Sequence, residues 1–283
     1  MPRMTTGMQL NLFQWDLIEI GRARESLAIL DFAGARQRLQ KVLNVLPGHR
    51  EALRTMRDVQ FWEDGVNESD KLDPEPAIRY LWERMQGFPF GDTESYVILR
   101  RTLLGRLLVM MHYRESLYIP PDLCRGFLYL QLEDHAAATT ELRLLLERLP
   151  DNGRLRAYLA DALWMQGKEK AAAEMYAAAL LISPQSVNTA ALRNPQVTGL
   201  VREHGPERAP MYGYMTGLLP LGVPSVETAT PETRAYACLV AAERARLRND
   251  YQVMIAARRD FKEQAPAVFQ DYLDWLAAGE AEK

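Results

Sequence analysis

Four histidines, two cysteines and a few clusters of like charge carry whatever chemistry this 283-residue chain can do through its side chains. His49, His112, His135 and His204 stand far apart, and none pairs with another histidine or a cysteine at zinc-ligand spacing. Cys124 and Cys238 fall in different helical segments. A cysteine nucleophile needs a thiolate beside a base, whereas both positions read as core, so both are expected as buried thiols. The sequence holds no GxxxxGK[ST] phosphate loop, no GxGxxG, no HExxH and no GxSxG elbow. Asp64, Glu68, Asp70 and Asp73 offer oxygens to a cation within an expected acidic loop, Glu63 to Glu75. They lack the spacing and glycine of a calcium loop, so a solvated loop is the reading. Glu133 and Asp134 are adjacent, and neighbours on a helix project about 100° apart, so they do not converge on one substrate.

The basic residues divide similarly. Arg100, Arg101 and Arg106 do not share one stripe of the expected helix. Arg244, Arg246, Arg248, Arg258 and Arg259 have the chemistry for phosphate, but Glu243, Asp250, Asp260 and Glu263 are interleaved with them, which predicts a salt-bridged, solvated face. A net charge of −3 and a pI near 5.9 argue against bulk capture of nucleic acid or an anionic membrane surface. No catalytic residue, metal site or cofactor is expected. The most apolar stretch, Val97 to Met111, is interrupted by three arginines, so no membrane span is expected. The N-terminus has neither an unbroken apolar run nor a small-residue cleavage site, and with two unpaired-looking cysteines the expected location is cytoplasmic.

The elements that would position these residues are helices throughout. Leu10 to Leu30 and Phe32 to Leu46 form an expected hairpin, with Asp31 as cap. Arg50 to Trp62 follows, its apolar side built from Leu53, Met56, Val59 and Phe61. After a short helix, Pro76 to Met85, comes a long one from Thr93 to Glu115, apolar on most faces and so expected to be buried centrally. Past Pro184 the pattern changes to short helical pieces, Asn188 to Arg193 and Pro195 to Glu203. His204 to Glu227 is then rich in glycine and proline, yet carries Met211, Tyr212, Tyr214, Leu218 and Leu219. That is too apolar for a disordered linker, so an irregular segment folded back as a cover is expected. Pro231 opens a last hairpin, and Pro266 a capping helix with Phe269, Tyr272, Leu273 and Trp275.

Between Ile119 and Ser186 small, large and breaker residues recur 34 positions apart, from Pro150 to Pro184. Leu159, Ala160, Leu163, Gly167, Ala172, Tyr176, Ala179 and Pro184 make up the second block; Gly126, Tyr129, Ala138, Leu142 and Pro150 stand at matching places in the first. Ala23, Ala35, Leu39, Val42 and Pro47 repeat the pattern at the N-terminus, with Ser26 and Leu30 departing from it. In length and residue pattern these blocks resemble the tetratricopeptide repeat family. The resemblance implies an all-α, right-handed solenoid of antiparallel hairpins with atypical flanking and capping helices. The segments are then 1–62 (hairpin plus helix), 63–118 (linker and long helix), 119–186 (two repeats), 187–229 (cover) and 230–283 (hairpin and cap).

In that family the first helix of each hairpin lines a groove for peptides or helices. By the resemblance, the partner-binding positions here are Leu123, Phe127, Leu130 and Gln131, then Arg154, Ala157, Tyr158, Asp161, Trp164 and Met165. Leu123, Phe127, Ala157 and Asp161 stand where repeats that clamp a C-terminal carboxylate carry lysine and asparagine, so a carboxylate clamp is not expected. The implied function is a non-catalytic adaptor or assembly chaperone holding an apolar or amphipathic protein segment, with Tyr158 and Trp164 as anchors. Three alternatives stand beside it: a groove filled by residues 205–225 or the Thr93 helix, a self-associating subunit such as a homodimer, and a small-ligand protein or enzyme.

Overall fold

The computed structural model describes residues 14–112, 114, 117–222 and 230–281. Among these the secondary structure is α-helical, apart from two 3-10 turns, Pro184–Ser186 and Thr189–Ala191, and one isolated antiparallel bridge between Ile119 and Leu123. The chain divides into two compact units, Met1–Arg114 and Glu115–Lys283.

The first unit contains α1 (Trp15–Ala28), α2 (Phe32–Val45), α3 (Arg50–Ser69), α4 (Pro74–Gly87) and α5 (Glu94–Met110). The expected helix start at Leu10 lies outside the described residues. Asp31 caps α2 by accepting the Gly34 N–H at 2.9 Å. His49 caps α3: its Nδ1 accepts the Ala52 N–H at 3.3 Å, while Nε2 lies 3.0 Å from Asp16.

The acidic stretch differs from expectation. Residues 63–69 are the last two turns of α3, not a loop, because Thr55, Val59, Trp62, Val66 and Ser69 continue one buried helical stripe and no proline interrupts before position 74. The buried face is also rotated from the expected one: it passes through Trp62, and Leu53 is exposed. Gly65 leaves room for Arg84, whose guanidinium lies 3.8 Å over the Phe61 ring and donates to the Phe61 carbonyl at 2.6 and 3.1 Å. Three of the four acids are engaged in ion pairs or hydrogen bonds: Asp70 with Arg106, Glu68 with Lys71, and Asp64 with Gln60. Helix α5 packs on α1 and α4 through buried Leu99, Leu103, Leu104 and Leu107, and Thr102 donates to the Ala28 carbonyl of α1 at 2.8 Å. Val97, Ile98 and Val109 are exposed, so it is a one-sided helix, not one buried on most faces.

The second unit contains α6 (Arg125–Gln131), α7 (His135–Arg148), α8 (Gly153–Met165), α9 (Glu169–Ile182), α10 (Pro195–His204), α11 (Ala209–Met215), α12 (Pro231–Leu247), α13 (Tyr251–Gln264) and α14 (Pro266–Ala281). Four hairpins, α1/α2, α6/α7, α8/α9 and α12/α13, turn in the same way. Leu30, Glu133, Gly167 and Asn249 adopt positive φ of 62°, 67°, 72° and 57°. The next residue's N–H reaches back to the carbonyl five positions earlier: Asp31 to Ser26, Asp134 to Tyr129, Lys168 to Leu163 and Asp250 to Ala245, at 2.9 to 3.0 Å. This closes the first helix with a left-handed cap. Each second helix is 14 residues long, and a proline follows seventeen positions after the turn residue, at Pro47, Pro150, Pro184 and Pro266. Small buried residues, Ala23, Gly126, Ala160 and Ala242, stand seven positions before each turn and let the paired helices approach. The N-terminal departures at Ser26 and Leu30 therefore leave the turn intact, and the C-terminal hairpin carries the same geometry on a different sequence.

The segment after α9 is more regular than expected. Besides α10 it contains α11, so its backbone between 209 and 215 is helical, stabilised by burial of Ala209, Pro210 and Met211. It does fold back: Val187, Val197, Leu200, Val201, Ala209 and Leu219 belong to the same core as Leu130, Tyr158 and Tyr176. The part of the expected cover that falls on residues 223–229 lies outside the described residues.

Candidate functional site

Helix α8 is the centre of the second unit. Asn152 starts it by accepting the Leu155 N–H at 3.0 Å, and Gly153 lies so close to the end of α9 that a Cβ there would meet the Ala179 and Ser183 carbonyl oxygens at 2.8 and 2.9 Å. Two turns on, Asp161 is 2% exposed. A buried carboxylate requires hydrogen-bond donors. Asp161 takes them from the Tyr176 hydroxyl at 2.5 Å, on α9, and from the Arg193 backbone N–H at 2.9 Å. The Arg193 guanidinium donates to the Leu130 carbonyl at 3.0 Å, and buried Asn194 caps α10 through the amides of Gln196 and Val197. The chain leaving the third hairpin is thus fastened across α6 and α8. Burial pushes the Asp161 carboxyl up to about 6 against the pull of its Tyr176 and Arg193 hydrogen bonds. Burial, and then the Asp161 charge, raise the Tyr176 phenol.

A second buried carboxylate occupies the matching place in the fourth hairpin. Glu243 stands six positions before Asn249, as Asp161 does before Gly167. It is fully buried, although its charged neighbours in sequence had pointed to a solvated face. It accepts the hydroxyls of Tyr272 at 2.6 Å and Tyr214 at 2.7 Å, and Arg246 donates to both of its oxygens. Burial works to raise its pKa, but the hydrogen bonds from Arg246, Tyr272 and Tyr214 outweigh it and hold the carboxyl below its usual value. One segment, 187–222, is therefore tied at Asp161 through Arg193 and at Glu243 through Tyr214.

This arrangement decides where the expected partner-binding residues lie. Leu123, Leu130, Ala157, Tyr158 and Asp161 are buried in the chain's own core. Tyr158 donates its hydroxyl to Asp122, which also pairs with Arg154 at 2.8 Å, and its ring stacks obliquely on Phe127 with centroids 4.9 Å apart. Phe127, Gln131, Arg154 and Trp164 are half-buried, and Met165 is 45% exposed. At the Trp164 end lies a hollow of about 400 Å³ bordered by Trp164, Lys170, Asn194, Gln196, Gly217 and Leu218. A separate hollow of about 520 Å³, of mixed polar and apolar lining, lies beside Tyr118, Pro121, Arg148, Asn152, Arg154 and Ser186.

The other reactive groups are dispersed. Cys124 Sγ caps α6 by accepting the Phe127 N–H at 3.4 Å, and burial pushes its thiol up to about 12. Cys238 is half-buried, more open than expected, and burial followed by the Asp260 charge raises its pKa. Neither thiol is poised as a thiolate at neutral pH. His204 stacks on Tyr212 with centroids 3.6 Å apart. Among the described residues no three of His, Cys, Asp and Glu come together as a metal site, and no helix is long and apolar enough to cross a membrane.

Sequence reasoning passed over Arg193 and Asn194, and read Tyr176, Tyr214 and Glu243 as a repeat packing residue, part of the cover and a surface acid, without the buried network they form. Asn194 before Pro195 carries a readable cap signal. Arg193 carries none, because its most important contact is made by its backbone. The C-terminal arginines also differ from expectation: Arg246 pairs with Glu243, but among the described residues Arg244, Arg248 and Arg259 form no ion pair. Searches of protein-family profiles, of curated proteins and of solved structures find no match to this chain.

Proposed function

We propose that this chain is a non-catalytic protein-interaction module of tetratricopeptide-like hairpins, an adaptor or assembly chaperone whose groove face takes an apolar or amphipathic segment. The observation that supports the reading is that this face already holds a peptide in cis. Leu130 and Asp161, two of the positions the resemblance assigns to partner binding, contact Arg193 through one carbonyl and one backbone N–H. The Asp161 contact is made to the segment's backbone, which any sequence supplies, whereas the Leu130 contact uses the Arg193 side chain. The shared turn, the constant length of the second helix and the recurring small residues support a repeat architecture.

In this reading an external segment competes with residues 187–222 for the same face. The internal segment has the advantage of effective concentration, so the groove opens only to a partner that also makes contacts elsewhere, or after the Asp161 tie is loosened. The test compares wild type with Asp161→Ala by hydrogen exchange and by capture from a lysate. Faster exchange over 187–204 together with new captured protein is the expected result. Faster exchange with no gain in capture refutes the reading.

A self-associating subunit is favoured by one observation, the exposure of Val97, Ile98 and Val109 on α5 and of Leu17 and Ile18 on α1, with Ile29 just beyond it, helices that pack together in the first unit. An apolar surface of that kind commonly marks an interface. Light scattering that gives a monomer at all concentrations removes this second reading.

A further inference from the structure

We infer that the outward stripe of α12, formed by Arg234, Ala237, Ala241, Arg244 and Arg248, is a docking face for an acidic α-helix of a partner protein. The inference rests on the interaction-module reading but uses a different face from the occupied groove. Helix α12 buries Ala235, Tyr236, Leu239, Val240, Ala242, Glu243 and Ala245, which leaves a single exposed stripe with steps of three and four residues. That stripe contains arginine and alanine and no acid.

Its position in the repeat shows what the face is shaped to receive. Ala237, Ala241 and Arg244 stand twelve, eight and five positions before Asn249. The residues at the same offsets before Gly167 are Leu155, Leu159 and Ala162, all buried in the core that includes Leu142, Leu145 and Leu146 of α7. In the third hairpin the second helix of the preceding hairpin covers this face. In the fourth hairpin the residues at the same offsets are exposed, and among the described residues no preceding hairpin helix packs on them, since residues 187–222 follow α9.

The residue types fit a helix of particular chemistry. Ala237 and Ala241 are short enough for a helix backbone to approach to the usual ~8–10 Å between axes. With no leucines on the stripe, attraction must come from charge. Arg234 and Arg244 are ten residues apart, about 15 Å along the helix, and Arg248 lies one turn further. Among the described residues none of the three is in an ion pair. The charged groups around them do not neutralise the stripe: Glu243 is turned inward with Arg246, Glu232 faces Arg208 at 4.0 Å, and Asp260 of α13 lies on the Cys238 flank. Exposed Leu247 and Tyr251 adjoin the Arg248 end and offer an apolar anchor. Three guanidiniums at the two ends of an alanine gap match carboxylates on a helix by forked hydrogen bonds. They are a poorer match to nucleic acid, which needs a continuous basic track and meets a chain of net charge −3.

The test is fluorescence anisotropy of the full-length protein with a labelled, helix-stapled peptide of about 18 residues, glutamates and one leucine along one face at the spacing of the stripe. We expect binding that weakens with salt, at least a ten-fold loss in the Arg244→Glu/Arg248→Glu protein, and recovery in that protein when lysines replace the peptide's glutamates. Arg259→Glu, on the exposed side of α13, leaves affinity unchanged. Asp161→Ala also leaves it unchanged, which separates this inference from the groove reading. Four results overturn it: equal binding of glutamate-faced and lysine-faced peptides, an equal loss in Arg259→Glu, tighter charge-dependent binding of poly(dT) than of the peptide, or a homodimer in light scattering that disappears in the Arg244→Glu/Arg248→Glu protein.

Discussion

Asp161→Asn isolates the charge of the buried carboxylate from its hydrogen bonds. The asparagine keeps an oxygen to accept from Tyr176 and Arg193 but cannot ionise. In the wild type the carboxyl moves from its ordinary 3.8 to about 6 on folding, chiefly through burial. At about 1.4 kcal/mol per pKa unit, the ionised form costs about 3 kcal/mol of stability. The folded pKa is raised, so the folded state holds this proton more tightly. The contribution is fully present below the unfolded value and is lost as pH rises through about 6. Roughly 2 of those ~3 kcal/mol disappear between pH 4.5 and 7.5. Urea titrations of both proteins across that range give the difference directly, because groups common to both cancel. Asp161→Asn is expected to gain on wild type by about 2 kcal/mol over the interval. A difference that stays flat with pH refutes the reasoning, since burial would then not be working against the charge. Asp161→Ala gives the complementary result at neutral pH, a loss of ~1–3 kcal/mol for each donor left unpaired.

Three further outcomes follow from the packing. Gly153→Ala drives a Cβ into the backbone carbonyls of Ala179 and Ser183 and should destabilise by ~1–3 kcal/mol; Gly199→Ala, in α10 with nothing within 4 Å, should stabilise by ~0.5–1 kcal/mol in the same urea assay. Glu243→Leu removes the acceptor for Tyr214 and Tyr272 and should cost ~3–5 kcal/mol, as for breaking a buried charged network, with proteolysis at 205–222 as a second readout. Cys124 should resist maleimide in the native protein while Cys238 reacts slowly, as followed by mass spectrometry. Faster labelling of Cys124 than of Cys238 contradicts the burial assigned to each.

How much of this was legible beforehand depends on the physics behind each element. The helices around Gly126, Ala160 and Gly167 were readable because periodicity, small residues and prolines all point to local structure. The run Glu63 to Ser69 was misread since composition alone favours a loop there, whereas a buried stripe through Trp62 and Val66 carries the helix on. The expected partner-binding positions on α8 share one face, and cover by residues 205–225 stood as one alternative, but the contact that fastens the segment there had no signal in the sequence. It is made by a backbone N–H of Arg193 meeting Asp161 from 32 residues away, and a backbone donor has no residue signature. Glu243 illustrates the same limit: beside Arg244 and Arg246 it looks like a surface acid, and only Tyr214 and Tyr272, both 29 residues distant, show otherwise.

The turn shared by the four hairpins bears on which changes the chain can absorb. From the left-handed residue, burial falls at fixed steps along the second helix: Ala35, Leu39 and Val42 after Leu30; Ala138, Leu142 and Leu145 after Glu133; Ala172, Tyr176 and Ala179 after Gly167. Substitution at those steps changes volume and leaves phase untouched, so glutamate, leucine, glycine and asparagine all serve at the turn. Insertion or deletion of one residue rotates everything beyond it by about 100° and moves the whole buried set off the core. These helices should therefore tolerate divergence of sequence far better than any change of length, with indels confined to the joints between hairpins.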